Sequence, residues 1–122
     1  LKTGTVTVVT VGPERAVEAL RTAVAMGADN AIHVKTDNDA LDSYVVARAL
    51  AEVLKKENAQ LILTGKQAID DDQAAVFGYV AELLDMPSAS VVVKIELAAD
   101  GKTLKAERDV ESGVKYLVEM PL

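Results

Sequence analysis

Apolar residues in the first half of the chain form short continuous runs that alternate with stretches of helical spacing. Thr5–Val11 is dense in β-branched residues and predicts a central strand. Gly12-Pro13 ends that strand, and apolar positions then recur at helical spacing as far as Gly27, a natural helix cap. We predict a strand–turn–helix unit whose strand ends at a potential ligand crevice.

A second unit follows the same order. Ala31–Val34 predicts a short strand, and Asn38 or Asp39 in the polar loop after it is the predicted cap of the next helix. Lys55 and Lys56 suit the carboxyl end of that helix. Its predicted apolar stripe is Val45, Val46, Ala49, Leu50, Val53 and Leu54.

A third unit begins with Leu61–Thr64, which we predict to be a buried strand because it is apolar almost throughout. The helix after it is predicted to begin near Asp71 or Asp72 and to end at Asp85-Met86-Pro87. Its predicted apolar stripe is Ala74, Ala75, Val76, Val80, Ala81, Leu83 and Leu84. The order β-α-β-α-β-α favours an open parallel sheet with flanking helices.

After Pro87 the pattern changes to alternation. Asp100-Gly101 and Ser112-Gly113 are turn signals, and they separate three predicted strands: Ser90–Leu97, Thr103–Arg108 and Val114–Met120. This pattern predicts an antiparallel β meander. Its charged residues suit one solvated or partner-facing side: Lys94, Glu96, Lys105, Glu107, Lys115 and Glu119. The fold class is therefore α/β, with the meander as an extension over residues 87–122 of a single domain.

Composition narrows the function. The chain has 122 residues, a formal charge of −6 and no cysteine. The charge argues against a nucleic-acid surface, and the missing cysteines exclude disulfides and thiolate metal sites. No apolar run reaches the length of a membrane span. A doubly wound nucleotide-binding domain usually has more than three parallel strands, so we expect this chain to be part of a longer polypeptide.

The loop from Gly65 to Asp72 is the strongest candidate for chemistry. Gly65 lets the backbone approach a ligand, and the following helix start offers unpaired N–H groups, which together suit a phosphate. The alternative is structural: Gly65 eases a turn and one aspartate caps the helix. The acidic run lacks the spacing of a calcium loop. His33, the single histidine, is interpreted as packing at a strand end.

Familiar catalytic motifs are missing. There is no G-x-x-x-x-G-K-[ST] phosphate loop, no G-x-G-x-x-G fingerprint and no nucleophile elbow. Without a thiol, and with one histidine, covalent or acid–base catalysis has few candidates. The residues favour a nucleotide- or cofactor-binding module over a self-sufficient enzyme.

Several uncommon strings occur together in one order. They are Val11-Gly12-Pro13, the run 20–29, Ile32-His33-Val34, Gly65–Asp72, Ala81–Leu84 with Pro87, Arg108-Asp109 with Gly113, and Met120-Pro121. With them, essentially the whole chain resembles the β subunit of electron transfer flavoprotein. The resemblance implies an adenine-nucleotide hydrolase-like, Rossmann-like domain that binds AMP structurally. It also implies an electron carrier rather than an enzyme, which pairs as a heterodimer with an FAD-bearing α subunit.

Such a carrier passes electrons from flavoprotein dehydrogenases, including acyl-CoA dehydrogenases of fatty acid oxidation, to a quinone oxidoreductase. The resemblance implies no nucleic-acid partner and no direct membrane insertion, with residence in the bacterial cytoplasm or the mitochondrial matrix. One alternative is an electron-bifurcating β subunit with FAD in the β site. Another is a stand-alone adenine-nucleotide module resembling universal stress proteins, although the phosphate pattern expected for it is missing.

The resemblance also assigns nucleotide contacts by position. They are Val11, Gly65, Lys66, Gln67, Ala68, Ile69, Asp70, Asp71, Asp72, Gln73, Ala74, Ala75 and Val76. Backbone N–H groups, rather than side-chain charge, would face the phosphate. Ala75 stands where many members have Gln and Phe77 where they have Gly, which changes the expected phosphate contacts. No metal ligand and no catalytic residue is implied.

Overall fold

The computed structural model describes residues 4–38, 41–65, 75–109 and 115–121. The described residues form two sheets and three α-helices. In chain order the elements are β1 (Thr7–Gly12), α1 (Val17–Ala25), β2 (Asn30–Lys35), α2 (Ser43–Lys56), α3 (Val76–Leu83), β3 (Val92–Leu97), β4 (Thr103–Asp109) and β5 (Lys115–Pro121). A parallel pair with helices and a separate antiparallel sheet confirm the predicted α/β class.

The first unit is a β-α-β motif. β1 and β2 pair in parallel, from Thr7 opposite Asn30 to Gly12 opposite Lys35. Pro13 and a short 3₁₀ turn, Glu14–Ala16, lead from β1 into α1. Helix α1 packs on both strands and buries Leu20, so the predicted strand, break and helix are confirmed with small shifts at their ends.

Each of the three described α-helices ends in a Schellman motif. After α1, Gly27 has φ +117°, its N–H donates to the Val24 carbonyl, and the Ala28 N–H donates to the Ala23 carbonyl. Glycine is suited to this position because a Cβ is strained at positive φ. The predicted cap at Gly27 is confirmed. Asn58 and Asp85 take the same place after α2 and α3, each with φ +52°.

The cap of α2 differs from the prediction. Asp42 is the N-cap residue, and its Oδ1 accepts a hydrogen bond of 2.6 Å from the Tyr44 N–H. Asn38 does not cap the helix, and Asp39 lies outside the described residues. An aspartate directly before the apolar stripe is the usual N-cap signal, and the choice of Asn38 or Asp39 placed the helix start too early.

Helix α2 packs on α3 through small residues. Ala47 is fully buried and Ala51 nearly so, while Val80 is the buried residue of α3. Beside this contact, the rings of Tyr44 and Tyr79 meet edge to face with centroids 5.5 Å apart. Val45, predicted to lie in the apolar stripe, is 47% exposed, because the buried face of α2 is rotated toward its alanines.

The predicted buried strand Leu61–Thr64 is wrong. Residues 61–65 form no strand, and no strand in the described part of the chain pairs with them. Leu63 is 70% exposed. A strand depends on ladder hydrogen bonds and cross-strand packing, which an apolar run does not supply by itself; Leu61 and Leu63 also lack the branched Cβ that favours pleated backbone.

Helix α3 is described from Val76, after Ala75 at its N-cap position. The predicted start near Asp71 or Asp72 therefore lies outside the described residues. The predicted stop is confirmed, because Leu84 and Asp85 form the closing turn. Leu83, assigned to the apolar stripe, is 41% exposed.

The antiparallel meander is confirmed with the order β3-β4-β5. Asp100-Gly101 forms the first turn, where Gly101 has φ +68° and its N–H donates to the Ala98 carbonyl. The Asp100 carboxylate accepts from the N–H groups of Lys102 and Thr103. The hydrogen bond from the Lys102 N–H is the main cause that lowers the pKa of Asp100. The second predicted turn, Ser112-Gly113, lies outside the described residues.

The two faces of the meander have different chemistry. Opposite residues of neighbouring strands share a face, and Glu96, Lys105 and Glu119 lie side by side on one of them. Lys105 Nζ is 3.8 Å from Glu119 Oε1 on this charged face. The other face buries Leu104 and Ala106. The predicted charged side is confirmed for Glu96, Lys105 and Glu119, while the side chain of Lys115 lies outside the described residues.

Replacement of Asp42 by alanine is expected to destabilise the protein by about 1 kcal/mol, because the N-terminal N–H groups of α2 lose their acceptor. Urea denaturation followed by circular dichroism measures this change. Asp42→Asn retains an acceptor and should recover most of the loss, while Asp37→Ala, in the exposed loop before the helix, serves as the control. Equal stabilities for Asp42→Ala and Asp37→Ala would contradict the cap.

Two glycines should respond to alanine in opposite directions. Gly78 lies inside α3 and an added Cβ would meet no described atom within 4 Å, so Gly78→Ala should stabilise by about 0.5–1 kcal/mol. Gly27→Ala should destabilise by about 1 kcal/mol or more, because of its positive φ. Thermal melts of the two variants check the signs. A stabilising Gly27→Ala would show that α1 does not end in the left-handed turn.

Candidate functional site

The carboxyl ends of the two parallel strands lie at one edge of the sheet. Gly12 is opposite Lys35, and Val11, the first predicted contact residue, is half-buried opposite Val34. Ligands of open α/β sheets bind at such an edge. The position of Val11 is therefore compatible with the role that the family resemblance implies for it.

The turn after β1 is held by the end of β2. The Gly12 carbonyl accepts a hydrogen bond from the Thr36 N–H at 3.1 Å and lies 2.8 Å from His33 Nε2. A carbonyl oxygen can only accept, so His33 Nε2 carries the proton of this bond. Gly12 is buried, and a Cβ added to it would lie 3.2 Å from the Ala16 Cβ. His33 thus packs at a strand end, as predicted, and it also bonds the backbone of the neighbouring strand.

An ion pair lies on the surface of the same turn. Lys35 Nζ is 3.0 Å from Glu14 Oε2, and both side chains are more than half exposed. The hydrogen bond from Lys35, and then its charge, lowers the pKa of Glu14. An exposed pair of this kind contributes little stability. The ion pair is useful as a marker, because it forms only when the ends of β1 and β2 are adjacent.

A second feature is a large cleft of about 860 Å³. It lies between residues 60–65, the inner side of α3, the connection 85–91 and the apolar face of the meander. Its lining includes Gly65, Phe77, Val80, Leu104 and Ala106. Such a volume is in the range of small-molecule sites.

One side of the cleft is tied to the meander by Arg108. Its Nε donates to the Ser90 carbonyl at 2.8 Å, and its Nη2 donates to Ser90 Oγ at 2.9 Å. Val91, the next residue, has φ +56°, which is rare for a β-branched side chain, and its carbonyl accepts from the Asp109 N–H. The Arg108 contacts were not anticipated from the sequence, because nothing local to Arg108 points to Ser90.

The predicted contact residues are only partly brought together. Gly65 lines the cleft, whereas Val11, Ala75 and Val76 do not. Ala75 and Val76 are the first residues described at the start of α3. The remaining positions, Lys66 through Ala74, lie outside the described residues. Phe77, noted as a departure from the family pattern, contributes an aromatic wall to the cleft.

Gly65 has no conformational reason to be glycine in this structure. Its φ is outside the left-handed region, and no atom of the described residues lies within 4 Å of the Cβ that another residue would have. The described residues therefore leave space beside the Gly65 backbone, and they do not decide between the ligand interpretation and the turn interpretation.

The described residues contain neither a metal-ligand cluster nor a membrane-spanning helix. No group of three or more histidine, aspartate or glutamate side chains is arranged there to hold a metal ion. No helix in the described ranges is long and apolar enough to cross a membrane.

Comparison with known proteins gives the family. The model of the electron transfer flavoprotein domain matches residues 1–122. The chain belongs to the electron transfer flavoprotein family. The electron transfer flavoprotein subunit beta of Bacillus subtilis is 43% identical over 122 residues, which cover 98% of this chain and 47% of the relative. The human subunit beta is 40% identical over 112 residues, 89% of this chain and 43% of the relative.

A plant protein is similar to the same extent. The mitochondrial electron transfer flavoprotein subunit beta of Arabidopsis thaliana is 40% identical over 114 residues, which cover 93% of this chain and 45% of the relative. The chain thus spans about half the length of the curated relatives it matches. The predicted resemblance is confirmed.

The ion pair at the strand ends can be tested by titration. Because Lys35 lowers the pKa of Glu14, the carboxylate should titrate below the ordinary glutamate value, and the pair should be lost as the pH falls through that lowered pKa. Carboxyl-carbon NMR gives the midpoint directly. Lys35→Ala should raise the midpoint and Lys94→Ala should leave it unchanged. An equal midpoint in wild type and Lys35→Ala would contradict the adjacency.

Proposed function

We propose that this chain is the nucleotide-binding part of an electron transfer flavoprotein β subunit. The observation that carries the proposal is the family match over all 122 residues, together with relatives about 40% identical that are β subunits. The observed α/β unit and meander are compatible with it. The same match supports this role over that of a stand-alone stress-protein-like module.

The proposed ligand is an AMP with an architectural role. Val11 and the segment from Gly65 to Val76 would hold it. The described part of this set is compatible with such a group: Val11 stands at a strand end, and no described atom lies within 4 Å of the position that a Cβ would have at Gly65. AMP supplies no redox chemistry. When bound to the folded state alone, it stabilises that state by mass action.

Main-chain groups suit this phosphate better than side-chain charge does. The chain is acidic overall, and the contact segment contains Asp70, Asp71 and Asp72 but a single cation, Lys66. N–H groups at the start of a helix attract an anion through their partial positive charges. A nearby aspartate does not cancel this attraction if its carboxylate points away from the N–H groups. The acidic run is thus compatible with an adenylate.

The rest of the function depends on partners. An α subunit would hold the redox-active FAD, and the heterodimer would accept electrons from flavoprotein dehydrogenases, including acyl-CoA dehydrogenases, and deliver them to a quinone oxidoreductase. The β chain itself would be a carrier subunit with no turnover of its own. It would act in the bacterial cytoplasm or the mitochondrial matrix.

The decisive experiment is to co-express the full-length gene with its genomic neighbour, denature the purified complex and identify the released nucleotides by chromatography. One FAD and one AMP per heterodimer is the expected result. Two FAD and no AMP would instead identify an electron-bifurcating β subunit with FAD in the β site. A nucleotide-free monomer would contradict the proposal.

Gly65→Val should lower AMP occupancy of the purified heterodimer severalfold, because a branched side chain would enter the space left open beside the backbone. The AMP-to-FAD ratio measures this loss. Gly78→Val is the matched control, because Gly78 is also an exposed glycine and no described atom lies within 4 Å of the position that a Cβ would have there. Unchanged occupancy in Gly65→Val would move the site elsewhere.

A further inference from the structure

The His33 side chain connects the two strands at the proposed nucleotide edge. In the parallel ladder His33 stands opposite Thr10, yet its Nε2 reaches the Gly12 carbonyl, two residues further along β1. The ring is half-buried. The ring therefore lies along the last residue pairs of the ladder instead of pointing into solvent.

The Gly12–Pro13 peptide depends on this contact more than an ordinary peptide would. Proline has no N–H, so the carbonyl oxygen is the only polar atom of that peptide. Two donors from the end of β2 point at it, the His33 ring at 2.8 Å and the Thr36 N–H at 3.1 Å. A carbonyl oxygen has two lone pairs, and both are used here. The donors thus set the plane of the peptide.

The orientation of this peptide is transmitted to its neighbours. Gly12 is buried with the Ala16 Cβ close beside it, so the turn has little room to rotate. The residue immediately before it is Val11, a proposed nucleotide contact. Loss of the ring donor would leave the peptide held by Thr36 alone, and the end of β1 could then move.

We infer that His33 is a positioning residue for the adenine-nucleotide site, which acts through the Gly12 carbonyl on the backbone of Val11. The inference rests on the proposed function. It assigns no contact between the ring and the nucleotide. The structural element that His33 orders is the strand end rather than the ligand.

The test uses the full-length heterodimer with its α subunit and AMP as the probe. His33→Phe keeps a ring and removes the donor, whereas His33→Gln offers an amide N–H in its place. Lys35→Ala is the control, because it breaks only the exposed ion pair at the same strand end. AMP dissociation constants are measured by calorimetry on complexes stripped of nucleotide, and FAD content is measured in parallel.

The expected result is a Kd about fivefold higher or more for His33→Phe, the loss of about one hydrogen bond, with His33→Gln and Lys35→Ala within about twofold of wild type. FAD content should not change. Rescue by glutamine is the readout that a packing role would not produce, since glutamine does not fill the space of the ring.

Other outcomes overturn the inference. His33→Phe with the wild-type Kd, or His33→Gln as impaired as His33→Phe, would show that the donor is not what matters. If His33→Phe does not assemble, His33→Leu replaces it with the same criteria. If neither assembles while His33→Gln does, the ring serves folding alone and the inference is wrong. A wild-type complex without any adenine nucleotide would instead contradict the proposed function.

Discussion

The parallel ladder between β1 and β2 sets the positions of Val11, Gly12 and His33 at the candidate nucleotide edge. Its register runs from Thr7 opposite Asn30 to Gly12 opposite Lys35, so both strands end together. Because they do, the Thr36 N–H and the His33 ring can reach one carbonyl, and Lys35 can reach Glu14. A slip of one residue would turn each side chain to the opposite face and remove these contacts.

The remaining elements are arranged by packing of small residues and by an apolar sheet face. Ala47 and Ala51 let α2 approach α3 closely, because alanine holds the two backbones apart by only a methyl group. The meander presents Leu104 and Ala106 on one side and a row of charges on the other. The large cleft lies beside that apolar side, and Gly65 is one of its lining residues. A domain with few aromatic residues builds its core from such thin layers.

Local signals explain why much of the fold could be predicted. The density of β-branched residues predicted β1, and Gly12-Pro13 predicted where that strand ends. Gly27 predicted the end of α1, and Asp100-Gly101 predicted the hairpin turn. Each of these depends on backbone preferences of a few adjacent residues. The predicted strand Leu61–Thr64 was wrong because a strand needs a pairing partner, and a single run of sequence does not show whether one is present. The predicted burial of Val45 was wrong because the stripe was assigned from hydrophobicity alone. The buried face of α2 is instead the one on which Ala47 lies close to α3.

The candidate site divides in the same way. The sequence by itself determined the class of fold, the carboxyl ends of α1 and α3, the turn at Asp100-Gly101 and, through several collinear motifs, the family, because all of these are carried by residue identity and spacing along the chain. Only the tertiary structure decided that His33 meets Gly12 and that Arg108 holds Ser90. The physical reason is that a side-chain hydrogen bond depends on which backbone groups folding brings within about 3 Å of the side chain. His33 and Gly12 are 21 residues apart along the chain, and this separation does not indicate that the ring and the carbonyl lie within hydrogen-bond distance.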